Sequence, residues 1–291
     1  MPKFINKKYA GIAFIIMSAF CFALMNAFVR LAGDIPTIQK SFFRNAVAVI
    51  FAFIVLKNKH IPIGWQKGNL KYHLIRSSCG TLGILCNFYA IDHMLISDAS
   101  MLNKMSPFFV IIFSLIFLHE KVTPFQMIFV MTAFVGSLFI IKPSFTGMAS
   151  LPALIGFIGG MGAGAAYTSV RYMGQHGEKG PFIVLFFSLF SCAVTLPYMI
   201  FNFTPMTVMQ TVYLLCAGLA AAGGQFSITA AYSRSPAKEI SVYDYSQIIF
   251  AALLGFMLFD QIPDIYSFIG YFIIIAAACA MFIYNNKKQD T

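Results

Sequence analysis

Apolar residues fill long stretches of this chain, and polar residues gather in short clusters between them. A window of about 19 residues divides it into ten apolar segments: 9–31, 38–56, 74–92, 98–118, 124–142, 151–172, 181–201, 208–231, 240–259 and 265–284. Each is close to the roughly 20 residues a helix needs to cross a bilayer's hydrocarbon core. Turn signals mark most breaks, as at Gly33-Asp34-Ile35-Pro36, Lys142-Pro143, Gly177-Glu178-Lys179-Gly180-Pro181 and Asp260-Gln261-Ile262-Pro263. The one long connection, 57–73, carries the sole tryptophan, Trp65. The pattern predicts an all-α polytopic membrane protein with ten transmembrane helices.

Composition strengthens this reading. The 291 residues are 59% hydrophobic and 10% charged, with a mean hydropathy of +0.79, whereas soluble domains carry about 25% charged residues. Ten spans leave no room for a soluble catalytic domain. The net charge of +10 is explained by membrane topology rather than by nucleic acid. With the N-terminus inside, fifteen of the 20 basic residues fall on the inner side and three (Arg30, Lys40, Lys142) on the outer. By the positive-inside rule both termini are cytoplasmic and the number of spans is even. The six cysteines are scattered singly, so neither a disulfide framework nor a zinc site is signalled. The basic start runs into an apolar stretch too long for a cleaved signal and is read as the first span.

Sliding the chain along itself by 140 residues places Leu118-His119-Glu120-Lys121 over Leu258-Phe259-Asp260-Gln261, Gly83 over Gly223, Ala90 over Ala230 and Lys104 over Asp244. A shift of 141 places Val29-Arg30 over Val170-Arg171. Two halves of five spans follow, 1–146 and 147–291. Five is odd, so the second half enters the membrane in the opposite sense. Inverted repeats of this kind recur in secondary transporters, with the substrate site near the midplane between the halves.

The two halves also share a motif pattern with a known family. Phe88-Tyr89-Ala90 precedes Ala99, Pro107 and Leu118-His119-Glu120-Lys121 in the first half. In the second, Ala231-Tyr232 precedes Tyr243-Asp244-Tyr245-Ser246-Gln247, Phe250-Ala251-Ala252-Leu253-Leu254-Gly255 and Phe259-Asp260-Gln261-Ile262-Pro263-Asp264. Phe42-Phe43-Arg44-Asn45 and Arg76 add to it. The chain resembles the EamA branch of the drug/metabolite transporter superfamily. The resemblance implies two inverted EamA-type repeats in a cell (inner) membrane. It also implies movement of small metabolites: amino acids, drugs or, in one subgroup, S-adenosylmethionine.

A charged side chain at the bilayer centre costs about 2.5–3.5 kcal/mol on insertion scales, which makes it a candidate for function. Arg44, Lys104 and Asp244 qualify. On straight helices with about 1.5 Å rise per residue, Arg44 and Lys104 lie roughly 9 Å below the outer surface and Asp244 roughly 6 Å from the inner one. That leaves Lys104 and Asp244 about 15 Å apart in depth, too far for an ion pair. Tyr243 and Gln247 flank Asp244, while Ser100 and Asn103 flank Lys104; Asn26, Tyr89 and Gln225 extend the polar path. In one reading Arg44 and Lys104 attract a carboxylate or phosphate, while Asp244 holds a cationic group or exchanges a coupling proton. In the other, the two basic residues snorkel to the headgroups and Asp244 pairs with Lys238 or Arg234. Arg30 and Arg76 are read as anchors near span ends, and Gly156, Gly160 and Gly164 as a close helix contact.

The expected function is secondary transport of a small zwitterionic or anionic metabolite by alternating access, not enzymatic catalysis. Export of amphipathic drugs is the alternative, and a membrane-embedded lipid-modifying enzyme a remote one. No cofactor, metal or nucleic-acid partner is expected. The partners are the substrate and the bilayer, with the chain a monomer or homodimer.

Overall fold

A computed structural model describes residues 9–93, 101–142, 151–260 and 262–287. Among the described residues the structure is helical, without strands. The helices are α1 (Ala10–Leu31), α2 (Thr37–Asn58), α3 (Leu70–His93), α4 (Ser106–Phe117), α5 (Pro124–Ile141), α6 (Leu151–Gln175), α7 (Gly180–Phe201), α8 (Val208–Arg234), α9 (Ser246–Phe259) and α10 (Ile265–Lys287). A short helix, Ala237–Ile240, and a 3-10 turn, Ser241–Tyr245, lead into α9. Eight helices among the described residues are long and apolar enough to cross a membrane, and Met101–Phe117 is a shorter apolar stretch. The boundary at 146/147 and the motif residues Ala99 and Gln261 lie outside the described residues, as does Ser100.

Local chemistry sets several helix ends. Thr123 and Thr207 each close a capping box, with Gln126 and Gln210 reaching back to the cap amide at 3.1 and 2.9 Å. Proline opens α5 and α7, where its missing N–H costs nothing. Lys142 and Asp260 end α5 and α9 in the left-handed conformation, at φ 49° and 52°.

Apolar side chains cover much of the outside, among them Phe51 and Ile54 on α2, Ile116 and Phe117 on α4, and Phe268 and Phe272 on α10. Small residues and hydroxyls fill the inside, where helices pack through close approach because lipid offers no hydrophobic drive between them. α1 lies against α8 and α3 against α6. At the first crossing a Cβ on Gly224 would fall 2.7 Å from Phe22, and the Ser18 hydroxyl donates to Gly224 O at 3.0 Å. At the second, a Cβ on Gly162 would fall 2.9 Å from Cys79 O. The expected role of the glycine run holds: Gly156 and Gly160 face Leu102, and Gly164 faces Phe109.

The chain is thus a multi-pass membrane protein. Its two ends are tied differently. At one, Gln39 and the Thr204 backbone exchange hydrogen bonds at 2.9 and 3.0 Å, and Gln210 donates to Ala32 O at 3.2 Å. At the other, buried Glu178 accepts from Gln66 N and Asn69 Nδ2 at 3.0 and 3.1 Å and faces His73 Nε2 at 3.2 Å. Glu120 there accepts from Arg171 at 2.7 Å.

Candidate functional site

Two helix breaks meet in the interior. Helical residues 101–103 give way to a turn at Lys104 and Met105 before α4 resumes at Ser106, with Pro107 in its first turn. The facing chain breaks at the 3-10 turn that holds Asp244. Lys104 Nζ donates to Asp244 Oδ2 at 3.2 Å and to Gln247 Oε1 at 2.8 Å, while the Tyr245 hydroxyl donates to Lys104 O at 3.0 Å. Lys104 and Asp244 are each 7% exposed.

This corrects the expected 15 Å separation. Depth counted at a uniform helical rise fails where both segments are interrupted, and the interruptions bring the two charges together. Snorkelling is corrected as well, since neither Arg44 nor Lys104 reaches the surface. Asp244 pairs with neither residue proposed for it: Lys238 donates to Lys121 O and Arg234 to Ala230 O.

Arg76 is also corrected. Instead of anchoring at a surface it is buried, donates from Nη2 to Gln225 Oε1 at 3.0 Å, and lies with Cζ 3.9 Å from the Phe187 ring centroid. Gly80 makes room for it, because a Cβ there would meet Arg76 Nη1 at 2.2 Å. Tyr167 lies on α6. It stacks on Tyr232 with centroids 5.1 Å apart and planes 13° apart.

The predicted site residues therefore divide. Lys104, Asp244 and Gln247 are in direct contact, Gln225 is held by Arg76 instead, and Arg44 is buried without a hydrogen bond to any of them among the described residues. The other four are not brought to this cluster. Asn26 is exposed, Asn103 is half-buried with no hydrogen bond to the cluster, and Tyr89 stacks on His93 at 4.0 Å. Tyr243 is buried, with no hydrogen-bond partner for its hydroxyl among the described residues. The interior contact of Arg76 with Gln225 and the Tyr167–Tyr232 stack were not foreseen. An arginine near a predicted span end and two of 13 tyrosines carry no signal until helices are packed.

The cluster is chemically suited to hold ions and polar groups in a dry interior, and it lacks the convergent nucleophile and base of a catalytic centre. Among the described residues no group of His, Cys, Asp and Glu could hold a metal ion. The EamA-like transporter family pattern matches residues 9–142. A pseudopaline exporter of Pseudomonas aeruginosa is 30% identical over 274 residues, covering 94% of this chain and 95% of the relative. The chain belongs to the EamA-like transporter family. It is a transporter of the drug/metabolite superfamily and not an enzyme. Other relatives of this family member include human solute carrier family 35 member G1, 24% identical and covering 92% of this chain and 77% of the relative. A riboflavin transporter of Brucella anthropi is 25% identical, covering 88% and 93%. A solved crystal structure superposes with TM-score 0.79 at 13% identity, over 95% of this chain and 98% of the other. That likeness concerns the fold alone.

Proposed function

We propose that the chain is a ten-span, 5+5 inverted-repeat carrier, with repeats 1–146 and 147–291. It moves a small zwitterionic or anionic metabolite by alternating access, with both termini in the cytoplasm. The observation that carries this reading is the buried Lys104–Asp244 pair at the junction of the halves. The two residues are related by the 140-residue shift. A residue and its repeat mate touch only where they lie beside the pseudo-twofold axis, which is where such carriers hold their substrate.

Helix packing supports the same symmetry. Exchanging each helix for the one five later turns the contact of α1 with α8 into that of α6 with α3. It likewise turns α1 with α9 into α6 with α4, while α2 with α7 and α5 with α10 map onto themselves. Gly83 and Gly223, one shift apart, each sit at a close approach, where an added Cβ would fall 3.1 Å from Gly159 O and from Cys21 Sγ respectively.

In this conformation Lys104 and Asp244 satisfy each other. A zwitterionic cargo would enter between them, its carboxylate replacing Asp244 at Lys104 and its ammonium replacing Lys104 at Asp244. One ion pair then becomes two, so cargo binding loosens the junction between halves. Asp244 is also the acid placed to carry a coupling proton. The exporter among the relatives favours outward movement. Counterflow in proteoliposomes tests the reading: purified protein should give saturable exchange of amino-acid-like solutes, abolished by the double substitution Lys104→Ala, Asp244→Asn. Normal saturable exchange by that variant would refute it.

A further inference from the structure

The Lys104 ammonium places hydrogen bonds on Asp244 Oδ2 at 3.2 Å, on Asp244 O at 3.4 Å and on Gln247 Oε1 at 2.8 Å. The shortest of the three goes to the neutral amide rather than to the carboxylate. A lysine ammonium can only donate, so the Gln247 carbonyl oxygen faces it, and that partner settles which way the amide points. Gln247 Nε2, with two donors, is thereby turned to the other side of the same carbon. Among the described residues nothing accepts a hydrogen bond from it. Gln247 is half-buried, more open than Lys104 and Asp244, so its amide stands at the accessible edge of the pair.

The amide belongs to one half only. The 140-residue shift that lays Asp244 over Lys104 lays Gln247 over Pro107, which has no side-chain donor. The junction is therefore polar, with the ammonium and the amide donors adjacent and the acid beside them. Because Oε1 and Nε2 share one carbon, a carboxylate that accepts from Lys104 Nζ through one oxygen can accept from Gln247 Nε2 through the other. A carboxylate offers acceptors alone. A carboxamide in the same place would set its own N–H2 against that of Gln247, and a buried donor left unmatched is costly.

Resting on the carrier reading above, we propose that Gln247 selects for a carboxylate on the cargo. Lys104 fixes the Gln247 carbonyl, and the Gln247 N–H2 donates to the carboxylate oxygen that Lys104 does not take. The ammonium of the same cargo is left to Asp244, so a zwitterion is bound in one orientation.

Counterflow by the purified full-length protein tests this with alanine and alaninamide, which keeps the ammonium and replaces the carboxylate by an amide. Wild type is expected to half-saturate with alanine at a concentration about tenfold or more below that for alaninamide, the effect of one hydrogen bond to a charged group. Gln247→Glu keeps an oxygen for Lys104 and turns the donor face into an acceptor, so it should reverse the preference in favour of alaninamide. Gln247→Met, similar in length and without a hydrogen-bonding amide, should bring the two half-saturation concentrations together. If Gln247 only props Lys104, the glutamate variant still props it and keeps the preference for alanine; that result refutes the proposal. Should the glutamate variant fail to fold, the methionine variant decides, and an undiminished preference for alanine overturns the assignment. Equal exchange of both solutes by wild type also overturns it and leaves the carrier standing. Absence of saturable exchange with either solute overturns both.

Discussion

Lys104 and Asp244 show how a residue's meaning depends on its neighbours. Each alone reads as a costly intramembrane charge, and together they form a satisfied pair with Gln247 as a third partner. Lys142 and Asp264 make a different kind of pair, exposed at a helix end. The Lys142 ammonium, helped by the Ser267 amide, lowers the Asp264 carboxyl from 3.8 to about 2. A depressed carboxyl stabilises the fold fully above its unfolded value and loses that contribution as pH falls through its folded value. Asp264→Asn should therefore lower the melting temperature above pH 3.8, with the difference from wild type vanishing as pH falls towards 2. Exposure makes the effect small and salt-sensitive, which repeating the melts at high salt checks.

At the scale of elements, glycine placement governs how closely helices approach. A Cβ at Gly160 would fall 2.5 Å from Leu102 O, a backbone atom that cannot swing aside. Alanine gains about 1 kcal/mol of helix propensity over glycine, but overpacking of this kind costs about 1–3 kcal/mol. Gly160→Ala should thus lower the melting temperature in detergent. Gly64→Ala, with open space around the new methyl, should leave it within the range of ordinary surface changes. The spacing of Gly156, Gly160 and Gly164 made this contact legible in the sequence. The partner at each glycine was not, because Gly159 and Gly162 on the same helix face α3 instead.

Across the whole molecule, alternating access requires that one end open while the other stays shut. The Gln39–Thr204 exchange ties α2 to the turn between α7 and α8, on the side the charge count assigns to the outside. In a background free of the native cysteines, an oxidised Gln39→Cys, Thr204→Cys pair should abolish counterflow, and a reductant should restore it. Undiminished flux through the cross-linked protein would mean that this end does not open.

The sequence by itself determined that the chain is apolar, helical and multi-pass, because the length and hydropathy of each segment are local properties set by the bilayer's thickness. The 140-residue offset between Lys104 and Asp244 can also be read from residue order alone, and the proposed repeat rests on it. Only the tertiary structure decided that these two touch, because interrupted helices do not keep a uniform rise. It alone moved Arg76 from anchor to interior, since a side chain's surroundings depend on which helix faces it. It also excluded Asn26, Tyr89 and Tyr243 from the cluster: polarity in a span says that a group needs a partner, and only packing says which one it finds.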